Sequence, residues 1–522
     1  MSLPFVVVVE GDQRMANYLA PGVYVEEVSS GSRPIEGVGT AVAGFVGFTE
    51  KGPLSEPTLV TNWTQYTSVF GGFVDNAYLP HAMYGYFLNG GGSAYVMRLP
   101  DGREETEERI ARAAIPSAGD DKRSAFTLRT VKAAAADDIS VSVAESSQAD
   151  GETFRIDVLR NGKVEESFDN LTTKRGPNNV ATVISRNSKL VELEDAKATT
   201  VMAPKKDAVV AFATSLPAKA ELSASSYVGD PIERTGLGGF EAVDEITMIA
   251  MPDLMSAYQR GLIDADVVKA VQLAMIAHCE RMSDRVAILD TPPGMNSQQT
   301  RDWRTEFAGY DSKFATLYWP WVQVMDPGSG TKVSLPPSAH IAGVWARNDA
   351  TRGVHKAPAN ETVRGVVSLQ TVISRAEQEI LNPLGVNCLR AFPGQGIRVW
   401  GARTLSSDPE WRYVNVRRLF NFIEESILGG TNWVVFEPND EYLWAAVRRV
   451  VGAFLHRVWR SGALIGRSAA EAYFVKCDGE NNPPESRDTG HLVVEIGVAP
   501  VKPAEFVVFR ISQLPQGGAL EE

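Results

Sequence analysis

Cysteine is scarce in this chain. The three that occur in 522 residues, Cys279, Cys388 and Cys477, lie far apart with no paired spacing, which argues against a disulfide framework and a zinc site and fits a reducing compartment. Long hydrophobic runs are missing too. Residues 5–9 are apolar but too short to span a bilayer, and they lack the basic flank and small-residue cleavage site of a secretory signal. Neither signal-peptide export nor membrane insertion is expected. The glycine clusters Gly90-Gly91-Gly92-Ser93 and Gly394-Gln395-Gly396 are not followed by Gly-Lys-Ser/Thr, so they read as turns rather than phosphate loops. With no paired histidines, nucleophile elbow or calcium loop, no cofactor and no metal is expected.

Positive charge is in deficit. The net charge of −13 disfavours a general nucleic-acid binder, which needs clustered Lys and Arg facing the phosphates. Lysine is absent from residues 390–467, where Arg stands instead; Arg makes planar, paired contacts with carboxylates, so this bias points to protein–protein docking. Tryptophan is absent from residues 101–234, whereas Trp63 precedes that block and nine others start at Trp303. The tryptophan-free block is rich in Ala, Ser, Thr, Lys and acidic residues and carries short alternating runs at 125–129, 140–143 and 153–159, the last ending at the turn pair Asn161-Gly162. It reads as a small β domain inserted into another domain, with seams at 98–102 and 235–239.

Around this insert, apolar strands at 40–48, 94–99, 246–251, 285–289 and 314–324 alternate with helices at 79–88, 264–282 and 297–308. That rhythm predicts a mostly parallel sheet covered by helices. A second unit carries helices at 362–381, 414–428 and 441–461 and strands at 432–436, 472–477 and 491–498. A chain of this length exceeds one core. The expected fold class is α/β multidomain: two α/β units with an inserted small β domain and extended N- and C-terminal strand arms. The expected divisions are an N-terminal extension and arm at 1–34, an outer α/β domain at 35–100 plus 236–350, the insert at 101–235, an inner C-terminal α/β domain at 351–500 and a C-terminal arm at 501–522.

Three places invite a chemical reading. Asp290 follows an apolar strand and precedes Thr291-Pro292-Pro293-Gly294, the position where an α/β hydrolase or metal-dependent enzyme carries a carboxylate; the alternative is a carboxylate capping the turn before the next helix, which is favoured. His278 and Cys279 are neighbours in a helix, about 100° apart, and cannot meet as a dyad. The basic helix containing Arg448, Arg449, Arg457 and Arg460 reads either as a membrane or nucleic-acid face or, preferably, as an amphipathic helix whose Arg side meets solvent or a protein.

The most distinctive string is PPSAHIAGVWARNDATRGVHKAPANE at 336–361. Pro336-Pro337-Ser338 stops a strand and offers a helix cap, residues 339–347 can form a short helix with Ile341, Val344 and Trp345 on one face, and Asn348-Asp349 ends it. A polar loop with Arg352, His355 and Lys356 follows. This run resembles the signature of contractile-tail sheath proteins, found in contractile phages, R-type pyocins and related injection systems. The likeness extends to YLAPGVYVEE at 18–27, LNPLGVN at 381–387, GIRVWGARTL at 396–405, YVNVRR at 413–418 and FIEESI at 422–427. It covers residues 18–100 and 236–514 and leaves out the block between. Met15-Ala16-Asn17-Tyr18 resembles the usual start of such a chain, making the first fourteen residues an extension or an upstream start.

The resemblance implies a non-enzymatic structural subunit that polymerises into a helical contractile tube around an inner tube, with baseplate and tail-terminator proteins as further partners, assembled in the cytoplasm as part of a phage tail or tail-like particle. It implies that the C-terminal domain meets the inner tube through a charged helix, placed here on 414–428 with Arg417, Arg418, Glu424 and Glu425, the Arg448 helix being second. Val23, Tyr24, Val25 and Glu26, and Phe506, Val507, Val508, Phe509 and Ile511, are strong strand formers set apart by Gly/Pro/Ser stretches. On residues alone each set pairs equally well within its own subunit. The resemblance favours donation to neighbouring copies, with hinges at 29–34 and 500–503 and a structural, domain-joining role for the loop of Arg352, His355 and Lys356. A globular adhesin or shell protein using the insert is the remaining alternative.

Overall fold

The computed structural model of the chain describes residues 34–100, 112–119, 124–131, 139–148, 153–174, 176–193, 203–212 and 222–509. Its centre is a nine-stranded mixed sheet. The strands are β1 (Val42–Gly47), β2 (Thr58–Val60), β3 (Ser93–Arg98), β4 (Met248–Ala250), β5 (Val286–Asp290), β6 (Ala315–Trp319), β7 (Glu361–Thr362), β8 (Val386–Phe392) and β9 (Gly396–Val399), in spatial order β7-β9-β8-β6-β5-β4-β1-β3-β2. The six inner strands from β8 to β3 run parallel, and antiparallel β2, β9 and β7 close the edges. Continuous apolar runs such as VAILD in β5 and ATLYW in β6 are buried on both faces, as a helix-covered parallel sheet requires.

Alternate residues feed two cores. Ala287 and Leu289 face one with the helix α2 (Ala265–Met282), while Val286 and Ile288 face the other with α1 (Leu79–Asn89) and α3 (Ser338–Arg352). Helices α1 and α3 cross closely because glycines stand at the contact: a Cβ on Gly343 would lie 2.4 Å from the Tyr86 carbonyl oxygen, and one on Gly85 would meet the His340 ring.

The sheet crosses the expected division at residue 350, since β7, β8 and β9 continue the sheet begun by β1 to β6. Several expected elements change. The helix expected at 362–381 is instead β7, a strand at Val366–Leu369 and a short helix at Arg375–Leu381. Gly365 takes φ +78° between β-branched residues that favour extended chain, and Ser374 with Glu377 forms a capping box that starts the real helix. The strand expected at 314–324 is split at Pro320 into β6 and Val322–Met325, because Pro donates no ladder hydrogen bond. The strand expected at 432–436 is a 3-10 turn at Asn432–Val434. The signature helix runs on through Asn348-Asp349 to Arg352.

Within 112–212 the described strands form two antiparallel sheets, one of Arg112–Pro116, Ser124–Thr130 and Val191–Leu193, the other of Val209–Ala211, Ile139–Glu145, Phe154–Arg160 and Lys163–Leu171. They enclose their own core of Ile115, Leu128, Val141, Ile156 and neighbours. The C-terminal module packs α4 (Val414–Gly430) and α5 (Glu441–Arg460) with a two-stranded sheet, β10 (Tyr473–Lys476) and β11 (Glu495–Val498), around a further core. No described helix is long and apolar enough to cross a membrane.

Candidate assembly interface

The signature run joins the module to the large sheet. The Asp290 carboxylate at the end of β5 accepts the Ser338 backbone N–H at 2.9 Å. It therefore caps α3, 48 residues on, and not the next helix in sequence. Burial pushes its pKa up to about 7, despite hydrogen bonds from Ser338 that pull it down. From α3, Asp349 receives both Arg418 nitrogens of α4 at 2.6 and 3.0 Å, and Thr40 joins the pair. In the loop beyond, the His355 carbonyl accepts from Asn415 at 2.8 Å, Lys356 pairs with Glu361 at 2.6 Å, and Arg352 is exposed.

Two of the four residues expected to meet a tube are buried within the subunit. Arg418 is buried against Asp349 and lies 4.7 Å over the Trp345 ring. Arg417 is buried between the Phe314 and Trp411 rings, at 4.7 and 4.6 Å, and bonds Asn421 and Glu424. Neither guanidinium is free to meet a partner. Of the four, Glu424 is exposed, and Glu425 is half-buried beside Asp284 and Asp244, where burial first and those charges second raise its pKa. The outward charge lies on α5, the second-ranked helix, where Tyr442, Ala445, Arg449, Ala453, His456 and Arg460 form an exposed stripe at helical spacing.

The first described residues and the segment before Phe506 are both anchored to the body. Ile35 is buried against Gly430 in the core shared by α4 and α5, Arg457 bonds its carbonyl, and the Val38 N–H donates to Ser426 at 3.1 Å. Val23, Tyr24, Val25, Glu26 and Ile511 lie outside the described residues, as do residues 29–33 of the expected N-terminal hinge. At the other end, the first half of the stretch expected to hinge at 500–503 is held: Pro500 bridges Leu464, Val501 donates to the Ala463 carbonyl at 3.1 Å, and Asn415 donates to the Val501 carbonyl. Beyond it Glu505 is fixed to Arg403. Phe506, Val507, Val508 and Phe509 then stand 68–84% exposed and pair with no strand among the described residues.

The sheet of β10 and β11 supplies edges for such a strand. Each pairs only with the other among the described residues, so neither outer edge carries a further described strand, while Tyr473, Val475, Ile496 and Val498 seat the sheet on the module core. Exposed Phe474 covers Gly497. Elsewhere, burial lowers the His278 pKa to about 3, and Cys279 beside it is buried with its thiol pushed up. Among the described residues, no group of three or more His, Cys, Asp or Glu is placed to hold a metal ion.

Comparison with known proteins gives matches to the phage tail sheath protein central domain over residues 239–405 and to the phage tail sheath C-terminal domain over residues 406–513, together just over half the chain. The chain is 28% identical over 255 residues to a protein named as a prophage major tail sheath protein in Pseudomonas aeruginosa (strain UCBPP-PA14), covering 48% of this chain and 62% of that one. It is 29% identical over 177 residues to the tail sheath protein of Vibrio phage KVP40, covering 33% and 26%. The match thus spans less than two-thirds of these curated relatives. The cryo-EM structure of the anti-feeding prophage helical sheath in its contracted state aligns over 94% of this chain and 99% of that one, with 25% identity and a TM-score of 0.59.

Proposed function

This chain belongs to the phage tail sheath protein family, and we propose that it is the structural subunit of a contractile sheath: many copies assemble helically around an inner tube and shorten to drive that tube through a target envelope. The observation that carries this reading is the exposed run from Phe506 to Phe509, a strand former with no strand partner among the described residues, in a chain whose β10–β11 sheet has two edges that no other described strand covers. An added strand satisfies such an edge through backbone hydrogen bonds worth roughly 0.5–1.5 kcal/mol each, with alternate side chains fixing the register. Because donor and acceptor are different patches, the contact is head-to-tail and generates an open helical filament. Shortening is then a switch between two packings of rigid bodies that remain joined by their arms.

The exposed stripe of α5 with Arg449, His456 and Arg460 is the surface proposed to meet the inner tube, in place of the buried Arg417 and Arg418. Solvated polar contacts are individually weak and exchange without uncovering a large apolar patch, which suits a part that slides. Assembly in the cytoplasm, docking on a baseplate and capping by a terminator protein follow from the same reading. Negative-stain microscopy of the purified full chain tests it: long hollow tubes are expected, and uniform small particles under every assembly condition refute it.

A further inference from the structure

We propose that Arg403 and Glu505 form a latch that fixes where the C-terminal arm leaves the body, so that the movable part of the arm begins at Phe506. The use of the latch rests on the strand-donation reading; its existence does not. Up to Val501 the arm is held by backbone bonds, Ala499 to the Ala472 carbonyl at 2.9 Å and Val501 to the Ala463 carbonyl at 3.1 Å. After Pro503 one carboxylate takes over. Glu505 accepts from Arg403 Nε at 2.9 Å and Nη2 at 2.6 Å, from Asn382 Nδ2 at 2.8 Å and from the Tyr413 hydroxyl at 3.0 Å. The side chains of the pair are only 10% and 19% exposed, so this is a charge-assisted, two-pronged contact and not an exchangeable surface pair.

The socket is built from the body alone. Buried Asn387 on β8 clamps the Arg403 backbone on both sides, accepting its N–H at 2.7 Å and donating to its carbonyl at 2.8 Å. The Asn382 carbonyl receives Arg403 Nη1 at 3.2 Å. Burial raises the Glu505 pKa, but the hydrogen bonds from Arg403 and Asn382 outweigh it and hold the carboxyl below its ordinary value. Beside the latch, Phe506 and Val507 run along a groove of about 700 Å³ with Trp400 and Phe392 in its wall. Past Glu505 all anchoring by hydrogen bonds stops among the described residues. A strand presented from a fixed root searches fewer orientations before it finds a neighbour's sheet edge, which lowers the ordering cost of binding.

Chymotrypsin cleavage after Phe506 in the unassembled full-length chain tests the latch, because it requires the chain on either side of that bond, Glu505 included, to come away from the body. Cleavage after Phe509, already exposed and beyond the latch, is the reference that Glu505 variants leave unchanged. Glu505→Ala is expected to raise the rate after Phe506 about tenfold, the loss of one charge-assisted contact. Glu505→Arg and Arg403→Glu are each expected to cleave fast, and the two together to recover most of the protection. Equal rates in wild type and Glu505→Ala overturn the proposal, as does a reversed pair no slower than Glu505→Arg alone. Position 505 is on the arm, so its variants report even where a change at Arg403 prevents folding. Cleavage is read on free subunits, so a chain that never forms tubes counts against the sheath reading and leaves the latch result standing.

Discussion

Arg418 and Asp349, 69 positions apart, meet through two hydrogen bonds with their side chains only 3% and 5% exposed, tying the signature helix to α4. Removing one partner leaves an uncompensated buried charge. Arg418→Met or Asp349→Ala is therefore expected to cost about 3–5 kcal/mol in denaturant unfolding, whereas Arg418→Met with Asp349→Leu is expected to recover much of it. Additive losses in the double variant would show that the pair is not one unit.

Asp290 supplies a pH signature. Its native pKa is raised from 3.8 to about 7, so between those values the folded state holds a proton that the unfolded state has released. Stability from this group falls as pH rises through that window, by at most about 1.4 kcal/mol per pH unit, and is level above it. Asn accepts the Ser338 N–H equally well and does not titrate. Relative to wild type, Asp290→Asn is expected to gain stability steadily from pH 5 to pH 7 and no further to pH 8, in parallel denaturation series. A gap independent of pH would mean that Asp290 is ionised throughout.

Gly343→Ala improves helix propensity but places a methyl 2.4 Å from the Tyr86 carbonyl oxygen. Backbone has little room to retreat, so the clash outweighs the gain of up to about 1 kcal/mol. A net loss of about 1–3 kcal/mol is expected by thermal or denaturant unfolding, and a more stable variant would show that α1 and α3 can separate freely.

Arg449→Glu with Arg460→Glu changes only exposed groups of α5. Tubes of the sheath protein alone are expected to form normally, while co-sedimentation with the inner tube protein is expected to drop severalfold at low salt and to differ less from wild type at high salt, as screening dictates. Unaltered binding at both salt levels removes this stripe from the tube interface.

The layered sheet was readable because buried parallel strands and their helices announce themselves by apolar runs, as in β1, β5 and β6. The signature run also pointed correctly to the family, and its domain-joining role rests on the contacts of Asp349 and His355. The burial of Arg417 and Arg418 was not legible for a physical reason: a helix pattern gives the direction of a side chain but not what lies there, and both Args find aromatic rings or a carboxylate brought by distant segments. At 500–503 two prolines mark irregular chain without saying which part is held, and the fold ties down Pro500 and Val501. Glu505 gave no sequence signal beyond one charge before an apolar run; only the fold assembles Asn382, Arg403 and Tyr413 around it.

Truncation after Glu505 tests strand donation most directly, because it keeps the latch and removes the exposed strand. The account predicts a folded chain with unchanged unfolding behaviour that sediments as a monomer and forms no tubes under conditions where the full chain does. Tubes of normal length and diameter from the truncated chain would contradict it.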